Sequence, residues 1–257
     1  MPDLAKARIL VTNDDGIHAP GLKVLEKVAR TLARDIWVVA PEFEQSGASH
    51  SLTLTEPLRI RRLSRRRFAV RGTPTDCVMM AVHELIDGRR PDLLLSGVNR
   101  GANLAEDVTY SGTIAAAMEG TMLKVPSIAL SQCLEAGHPP KWSTAEHHAP
   151  EVIRRLVAAG WPESVLINVN FPDVLQGAVK GIALCRQGHR GFEDLVVDAR
   201  IDARGQPYYW LGFRRRGETF AGRTDLAAVL NGKIAVTPLQ LDLTDRSALR
   251  TLRAALS

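Results

Sequence analysis

The stretch that decides the fold is residues 7–22, ARILVTNDDGIHAPGL, in which an apolar run ends in two adjacent carboxylates. Residues 7–12 have the length and the apolar content of a buried β-strand. Asp14 and Asp15 follow directly, and a glycine and a helical pattern come next. Two like charges at the end of a buried strand are costly, so this doublet calls for a chemical explanation as well as a structural one.

The same alternation of strand and helix continues along the chain. Apolar runs of strand length alternate with segments whose apolar residues recur every three or four positions. The predicted helices are residues 21–33, 75–86, 114–123 and 151–160, and the predicted strands that follow the first are residues 36–40, 93–95, 127–131 and 165–169. This order predicts an α/β fold with a Rossmann-like, doubly wound and mostly parallel sheet.

Three other regions have a different character. Residues 58–70, LRIRRLSRRRFAV, predict an arginine-rich hairpin, and residues 135–150 predict a polar connection because they are rich in proline and charge. After Pro172 the alternation loosens. The patterns there predict a second hairpin at residues 200–215, a helix at 224–230, a strand at 233–238 and a helix at 244–256.

These patterns predict two parts of unequal regularity. We expect residues 1–135 to form the Rossmann-like core with the functional site. Residues 136–257 should continue that core to about residue 172 and then form a smaller C-terminal region with an extended hairpin.

Composition narrows the functional classes. The 257 residues are 45% hydrophobic, enough for one sizeable core, yet no apolar run is long enough to span a bilayer and no secretory signal is evident. Cys77, Cys133 and Cys185 are odd in number and widely spaced, which indicates a reduced, cytoplasmic setting. The net charge of +5 leaves both nucleic acid and anionic metabolites open as partners.

The acidic doublet predicts a metal site. A hard divalent cation would relieve the repulsion between Asp14 and Asp15, with an amide oxygen from Asn99 and a hydroxyl from Ser46 as further ligands. We expect one ion per subunit, with Mg²⁺, Mn²⁺ and Ca²⁺ all open. The sequence has no HExxH motif, no histidine pair at the spacing of metal ligands and no cysteine cluster, which disfavours zinc. The alternative is that the doublet forms only a turn and a helix cap.

A second group of residues predicts a phosphate pocket. Ser111, Gly112 and Thr113 stand directly before a predicted helix, whose free N–H groups and dipole favour an anion. The candidate phosphate-binding residues are Asn13, Gly97, Asn103, Ser111, Gly112 and Thr113. An ordinary helix cap with glycine turns is the alternative. The sequence lacks both GxxxxGK[ST] and a GxGxxG after the first strand, which excludes a P-loop and disfavours a dinucleotide cofactor.

The chain as a whole resembles the SurE family, stationary-phase survival proteins that are metal-dependent 5′/3′-nucleotidases. The resemblance rests on VTNDDGIHAPGL, PEFEQSGASHSLT, GTPTDCV, SGVNRGANLAEDVTYSGTIAAAMEG, NVNFP and TDLAAVLNGKIAVTPL, in that order. It implies a divalent metal held by Asp14, Asp15, Ser46 and Asn99. It also implies homodimers or homotetramers built partly by exchange of C-terminal arms, and nucleoside monophosphates as substrates, with short polyphosphate cleaved by some members.

The hypothesis is hydrolysis of a nucleoside 5′(3′)-monophosphate by metal-assisted attack of water, with Asp14, Asp15 and Asn99 as catalytic residues. Asp14 or Asp15 could act as the base. His18 and His50 lie near the predicted rim and are the candidates for the general acid that protonates the leaving ribose oxygen, although a lone histidine on a loop is more often only solvated. A covalent aspartyl-phosphate route is the second mechanism considered. The alternative function is a basic nucleic-acid-binding module without hydrolase activity, based on the arginines of residues 58–70, although we do not expect nucleic acid as a partner. A metal-dependent glycosyl transferase is a third option.

Overall fold

The computed structural model describes residues 2–135, 137–190, 195–213 and 222–256. Its centre is a nine-stranded sheet. The strands of this sheet are β1 (Arg8–Thr12), β2 (Asp35–Pro41), β3 (Arg59–Ser64), β4 (Arg67–Arg71), β5 (Leu93–Arg100), β6 (Ser127–Gln132), β7 (Val165–Phe171), β8 (Ile182–Leu184) and β11 (Ile234–Gln240). A separate two-stranded hairpin consists of β9 (Leu195–Ile201) and β10 (Pro207–Phe213).

The described part of the chain has helices packed on both faces of this sheet and an exposed C-terminal helix. They are α1 (Pro20–Arg30), α2 (Pro74–Met80), α3 (Asp107–Tyr110), α4 (Gly112–Met122), α5 (Trp142–Ala159), α6 (Asp225–Leu230) and α7 (Arg246–Leu256). Short 3₁₀ turns occupy Leu4–Lys6 and Gln176–Ala178, and a π-helical turn, Ala81–Leu85, follows α2. Among the described residues, no helix is long and apolar enough to cross a membrane.

The strand order is β3-β4-β2-β1-β5-β6-β7-β11-β8. From β4 to β7 every neighbouring pair is parallel, whereas β3 and β11 run antiparallel to β4 and β7. The chain moves outward from β1 through β2 and then returns to start again at β5, on the other side of β1. The carboxyl ends of β1 and β5 therefore flank the switch point, where open α/β sheets bind their ligands.

Two apolar layers enclose the sheet, one on each face. Alternate residues of β1 serve the two layers: Ile9 and Val11 pack with α1 and α5, and Leu10 packs with α2 and α4. Strands that are buried on both faces become continuous apolar runs in the sequence, which is the pattern that predicted them. The structure thus confirms the predicted α/β fold with a mostly parallel sheet and a smaller hairpin.

The prediction of a connection at residues 135–150 is wrong over its second half. Helix α5 begins at Trp142 and continues through Pro150, although proline removes one backbone hydrogen bond from a helix. The buried residues Ala145, Ala149 and Ile153 continue one apolar stripe across the proline. Their burial against the sheet outweighs the lost hydrogen bond, and no local sequence pattern predicts that packing.

Other predicted boundaries differ by a few residues. The predicted helix at residues 75–86 divides into α2 and the π-helical turn, and the predicted strand at 93–95 extends to Arg100 as β5. Both arginine-rich and C-terminal hairpins are present. The second starts at Leu195 and turns at Asp202, whose side chain accepts the N–H groups of Arg204 and Gln206, both at 2.8 Å. The last two residues of the predicted hairpin, 214 and 215, lie outside the described residues.

Candidate metal and phosphate site

Asp14 lies at the carboxyl end of β1, at the switch point, and its side chain is only 5% exposed. The Thr113 hydroxyl donates a hydrogen bond to Asp14 Oδ1 at 2.5 Å. A Cβ on Gly112 would lie 2.8 Å from the Asp14 Cβ, so the first residue of α4 packs directly on the aspartate. Asp14 and the N-terminus of α4 are thus in direct contact, although about a hundred residues separate them in sequence.

Asp15 is half-buried and faces the end of β5. Its Oδ2 accepts the backbone N–H of Arg100 at 3.1 Å. The neighbouring Asn99 donates its amide N–H to the Gly101 carbonyl at 3.1 Å, a bond that does not involve its amide oxygen. The doublet is therefore in contact with the end of β5 as well as with the start of α4.

Ser46 lies on the loop that follows β2. Gln45 donates its backbone N–H to the Asp14 carbonyl at 2.8 Å and so ties this loop to the doublet. The Ser46 side chain is exposed and donates to Glu44 Oε1 at 2.8 Å. The structure thus brings the Ser46 loop to the site, while the serine hydroxyl itself is bonded to a neighbouring carboxylate.

Gly16 forms the turn directly after the two aspartates. Its φ of +99° lies in the left-handed region, which non-glycine residues adopt at a cost. A Cβ there would also lie 3.3 Å from the carbonyl carbon of Phe43. The glycine after the two aspartates therefore permits both the turn and the close approach of the loop after β2.

Both aspartates have raised pKa values. Burial raises the pKa of Asp14 to about 6, the hydrogen bond from Thr113 opposes this, and the charge of Asp15 adds to it. Burial also raises the pKa of Asp15. The hydrogen bond from the Arg100 N–H opposes this rise, and the nearby charge of Glu44 adds to it to a smaller extent. Two ionised carboxylates are thus unfavourable here without a compensating positive charge.

The available ligands at this site are oxygen atoms. Within the part of the chain that the structure describes, no three His, Cys, Asp or Glu side chains are grouped so that they could hold a metal. A set of two carboxylates with amide and hydroxyl oxygens is the type that Mg²⁺ and Mn²⁺ prefer. The Asn13 side chain adds a further oxygen: it donates to the Gly16 carbonyl at 3.0 Å, and its buried Oδ1 has no hydrogen-bond partner among the described residues.

The predicted phosphate-binding residues divide into two groups. Ser111 caps α4 by accepting the Ile114 N–H at 3.1 Å, and Gly112 and Thr113 lie against Asp14. Gly97, by contrast, is packed between β5 and β6, where a Cβ would lie 2.2 Å from the Leu130 carbonyl oxygen. The N-terminus of α4 therefore lies beside Asp14, whereas Gly97 permits the close contact between β5 and β6.

Asn103 belongs to a buried network that the sequence did not reveal. Its backbone N–H donates to Asn170 Oδ1 at 2.9 Å, and its carbonyl accepts from Asn168 at 2.8 Å and Asn170 at 3.1 Å. Its side chain donates to Ser131 Oγ at 2.8 Å. Asn168 and Asn170 are two residues apart on β7 and therefore face the same side. That spacing in NVNFP was the available signal that they act as a pair.

The loop after β2 is also held from its far side. His50 Nε2 lies 3.1 Å from Glu119 Oε2, a buried carboxylate on α4, and Ser49 donates to the Thr109 carbonyl at 2.8 Å. Thr53 donates its hydroxyl to Asp76 Oδ2 at 2.6 Å. His50, proposed from sequence as a rim residue, thus anchors this loop to α4. His18, the other candidate, has an exposed side chain.

The geometry defines an α/β protein whose switch point carries two carboxylates against a helix N-terminus. A family model described as "Survival protein SurE" matches residues 9–194. The chain is 60% identical over 251 residues to the 5′-nucleotidase SurE of Parvibaculum lavamentivorans, covering 97% of this chain and 91% of that protein. It is 58% identical to the 5′-nucleotidase SurE of Paramagnetospirillum magneticum, covering 98% and 97% of the two chains.

A solved structure agrees with these sequence matches. The crystal structure of the SurE protein from Aquifex aeolicus superimposes with a TM-score of 0.84 at 38% identity, covering 97% of this chain and all of that one. The chain belongs to the SurE family, as its motifs had indicated.

Proposed function

We propose that the protein is a divalent-metal-dependent phosphomonoesterase that hydrolyses nucleoside 5′-monophosphates to nucleoside and phosphate. The observation that carries this proposal is the contact between Asp14 and the first turn of α4, made by Thr113 and Gly112. One pocket thereby combines carboxylates suited to a cation with a helix end suited to a phosphate. Relatives named 5′-nucleotidase, similar over nearly the whole chain, support the substrate class.

Asp14, Asp15, Asn99 and Ser46 are the residues that would hold the metal. When bound, the metal neutralises charge on the phosphate and lowers the pKa of a water molecule. The raised pKa values of both aspartates and the unpartnered Oδ1 of Asn13 support a cation at this position. Mg²⁺ and Mn²⁺ are the ions we propose, with Ca²⁺ as the third candidate.

The chain's own residues have separable tasks in this proposal. Thr113 holds the Asp14 carboxylate in one orientation, and the Arg100 N–H does the same for Asp15. One of the two carboxylates accepts the proton of the attacking water. The backbone N–H groups at the start of α4, with the Ser111 side chain beside them, bind the phosphoryl oxygens on which negative charge develops.

Phosphate release from 5′-AMP tests the proposal. The wild-type protein should release phosphate with Mg²⁺ or Mn²⁺ and lose this activity in excess chelator. Asp14→Asn should lower kcat by about 100-fold or more, because it removes a carboxylate from the site. Asp3→Asn, at an exposed aspartate before β1, is the matched control and should retain full activity. Undiminished turnover in the Asp14 variant would contradict the proposal.

We further propose that the protein forms homodimers or homotetramers in the cytoplasm. Cys77 and Cys185 are buried thiols without a disulfide partner, which favours a reduced compartment. The β9–β10 hairpin exposes the side chains of Val197, Tyr209, Trp210 and Leu211. Such an apolar hairpin favours an interface between copies of the chain. Light scattering should give a mass at least twice that of one chain, and a monomer at micromolar concentration would contradict the assembly.

The arginine-rich hairpin gives no separate function. Arg61, Arg66 and Arg67 each pair with a carboxylate of the same chain, those of Glu42, Asp35 and Glu26. Arg62 lies over the ring of Phe68, at 5.8 Å from its centroid. Because these contacts engage several arginines of the cluster within the fold, we do not propose a nucleic-acid-binding module.

A further inference from the structure

Phe43 is a large, exposed apolar side chain whose backbone lies beside the acidic doublet. It is 64% exposed, and it packs into neither of the two apolar layers that the described residues form. Isolated exposed apolar residues are common on protein surfaces and need no explanation by themselves. The position of Phe43 is what distinguishes it, because its backbone lies against Gly16, the residue directly after Asp15.

The short segment that carries Phe43 is fixed at both ends. On one side, Glu42 donates its backbone N–H to the Val70 carbonyl at 2.8 Å. On the other side, Gln45 donates its N–H to the carbonyl of Asp14, also at 2.8 Å. Only Phe43 and Glu44 lie between these two bonds. The ring is thus exposed to solvent on a backbone that is attached to the site itself, which lowers the cost of ordering it for a ligand.

A second bond holds this segment to the sheet. The Glu42 carboxylate accepts a hydrogen bond from Arg61 Nε on β3 at 3.0 Å. The side chain before Phe43 is therefore engaged with the arginine-rich hairpin, and the residue after it, Glu44, accepts from Ser46. Both neighbours of Phe43 make polar contacts within the protein, while its own ring is exposed.

We propose that Phe43 is a specificity-determining residue whose ring stacks on the nucleobase of a nucleoside monophosphate. The inference rests on the proposed function, which places the phosphate of that substrate at Asp14 and the start of α4. A nucleotide presents an aromatic face at the other end of its ribose, and an exposed aromatic side chain is the complementary surface. Every base has such a face, so Phe43 distinguishes nucleotides from phosphate esters that lack a base.

The test compares 5′-AMP with ribose 5-phosphate, which carries the same phosphate and sugar without the base. Phe43→Ala should raise KM for 5′-AMP by about 5- to 50-fold, because stacking on one base is lost. KM for ribose 5-phosphate should change by less than about twofold, and kcat should stay close to the wild-type value for both substrates. Phe43→Trp should restore the KM for 5′-AMP, whereas Phe43→Leu, apolar but without a ring, should not.

Met122→Ala is the matched control, because Met122 is 59% exposed at the far end of α4. It should leave both KM values unchanged. An unchanged KM for 5′-AMP in Phe43→Ala would overturn the inference, as would an equal rise for both substrates, which would indicate a displaced loop. If the wild-type protein hydrolyses neither ester, the proposed function itself fails. Hydrolysis of both with no selective effect of Phe43 removes only the present inference.

Discussion

The Thr113 hydroxyl donates a 2.5 Å hydrogen bond to Asp14 Oδ1, and both side chains are buried. Asp14 lies at the end of β1, and Thr113 lies in the first turn of α4, 99 residues later in the chain. This bond restricts the carboxylate to one orientation beside the helix N-terminus. It is the shortest link between the proposed metal-binding and phosphate-binding halves of the site.

Thr113→Val should lower activity while the protein stays folded, because valine keeps the shape of threonine and removes only the hydroxyl. We expect metal affinity or kcat to fall by about 10- to 100-fold, as is typical when a partner of a metal ligand is lost. Thr113→Ser should retain most of the activity. Steady-state kinetics over a range of Mn²⁺ concentrations measures both quantities.

Thr121→Val is the control on the same helix, since Thr121 is also buried but donates to the Ala117 carbonyl within α4. It should leave the kinetics unchanged. Equal losses in the two valine variants would show that the effect comes from α4 as a whole and not from the bond to Asp14.

Gly112→Ala should also lower activity, although alanine is the better helix former. Its methyl group would lie 2.8 Å from the Asp14 Cβ and 3.1 Å from Asp14 Oδ2, so the aspartate or the helix must move. We expect about a 10-fold or larger loss of kcat/KM, since small displacements of reacting groups are costly. Gly177→Ala, where nothing lies within 4 Å of the added methyl, should behave as the wild type. Full activity in the Gly112 variant would contradict the close packing.

The metal-free protein should become less stable as the pH rises. Because burial raises the pKa of Asp14 to about 6, the folded state binds this proton more tightly than the unfolded chain does. The resulting stabilisation is fully present below about pH 4 and is lost as the pH rises through about 6. In chelator at pH 8, Asp14→Asn should therefore increase the free energy of unfolding by about 1–3 kcal/mol.

Urea unfolding at several pH values checks this sign. The difference between Asp14→Asn and the wild type should disappear below about pH 4. Added Mn²⁺ should stabilise the wild type and leave the variant unaffected, because ligand binding to the folded state stabilises it. A variant that is less stable than the metal-free wild type at pH 8 would rule out this account.

Asn170→Ala should destabilise the loop that follows β5. The variant removes the acceptor of the buried Asn103 N–H and one donor to the Asn103 carbonyl. We expect a loss of about 1–3 kcal/mol in the free energy of unfolding, the cost of an unsatisfied buried group. Asn231→Ala removes one half-buried bond, to the Ala227 carbonyl, and should cost less. Denaturant unfolding of both variants compares them directly.

Much of the fold could be predicted from local patterns because parallel strands are buried on both faces. Residues 7–12 and 36–40 appear as apolar runs for that reason, and the helix between them shows the three- and four-residue spacing of a helix packed on one side. The start of helix α5 was mispredicted because Pro150 is a local signal against a helix, whereas the packing of Ala145 and Ile153 on the sheet is not local.

The candidate site could be predicted in part. The doublet Asp14-Asp15 and the segment Ser111–Thr113 were recognisable because charge and helix-capping residues stood at element boundaries. Gly97 was assigned to the phosphate pocket because glycine permits close approach, and the structure shows that the approaching group is the Leu130 carbonyl. Asn168 and Asn170 had no role in that prediction, since their partner Asn103 lies more than sixty residues away.

The sequence by itself determined the alternation of strands and helices, the acidic end of β1 and the family to which the motifs point, because each depends on neighbouring residues. Only the tertiary structure decided that Thr113 bonds to Asp14, that the loop after β2 is tied to the doublet through Gln45, and that Phe43 is left exposed beside it. These contacts depend on which strands become neighbours in the sheet. Which strands become neighbours depends on burying both faces of the sheet at once, and no single segment of the sequence shows this.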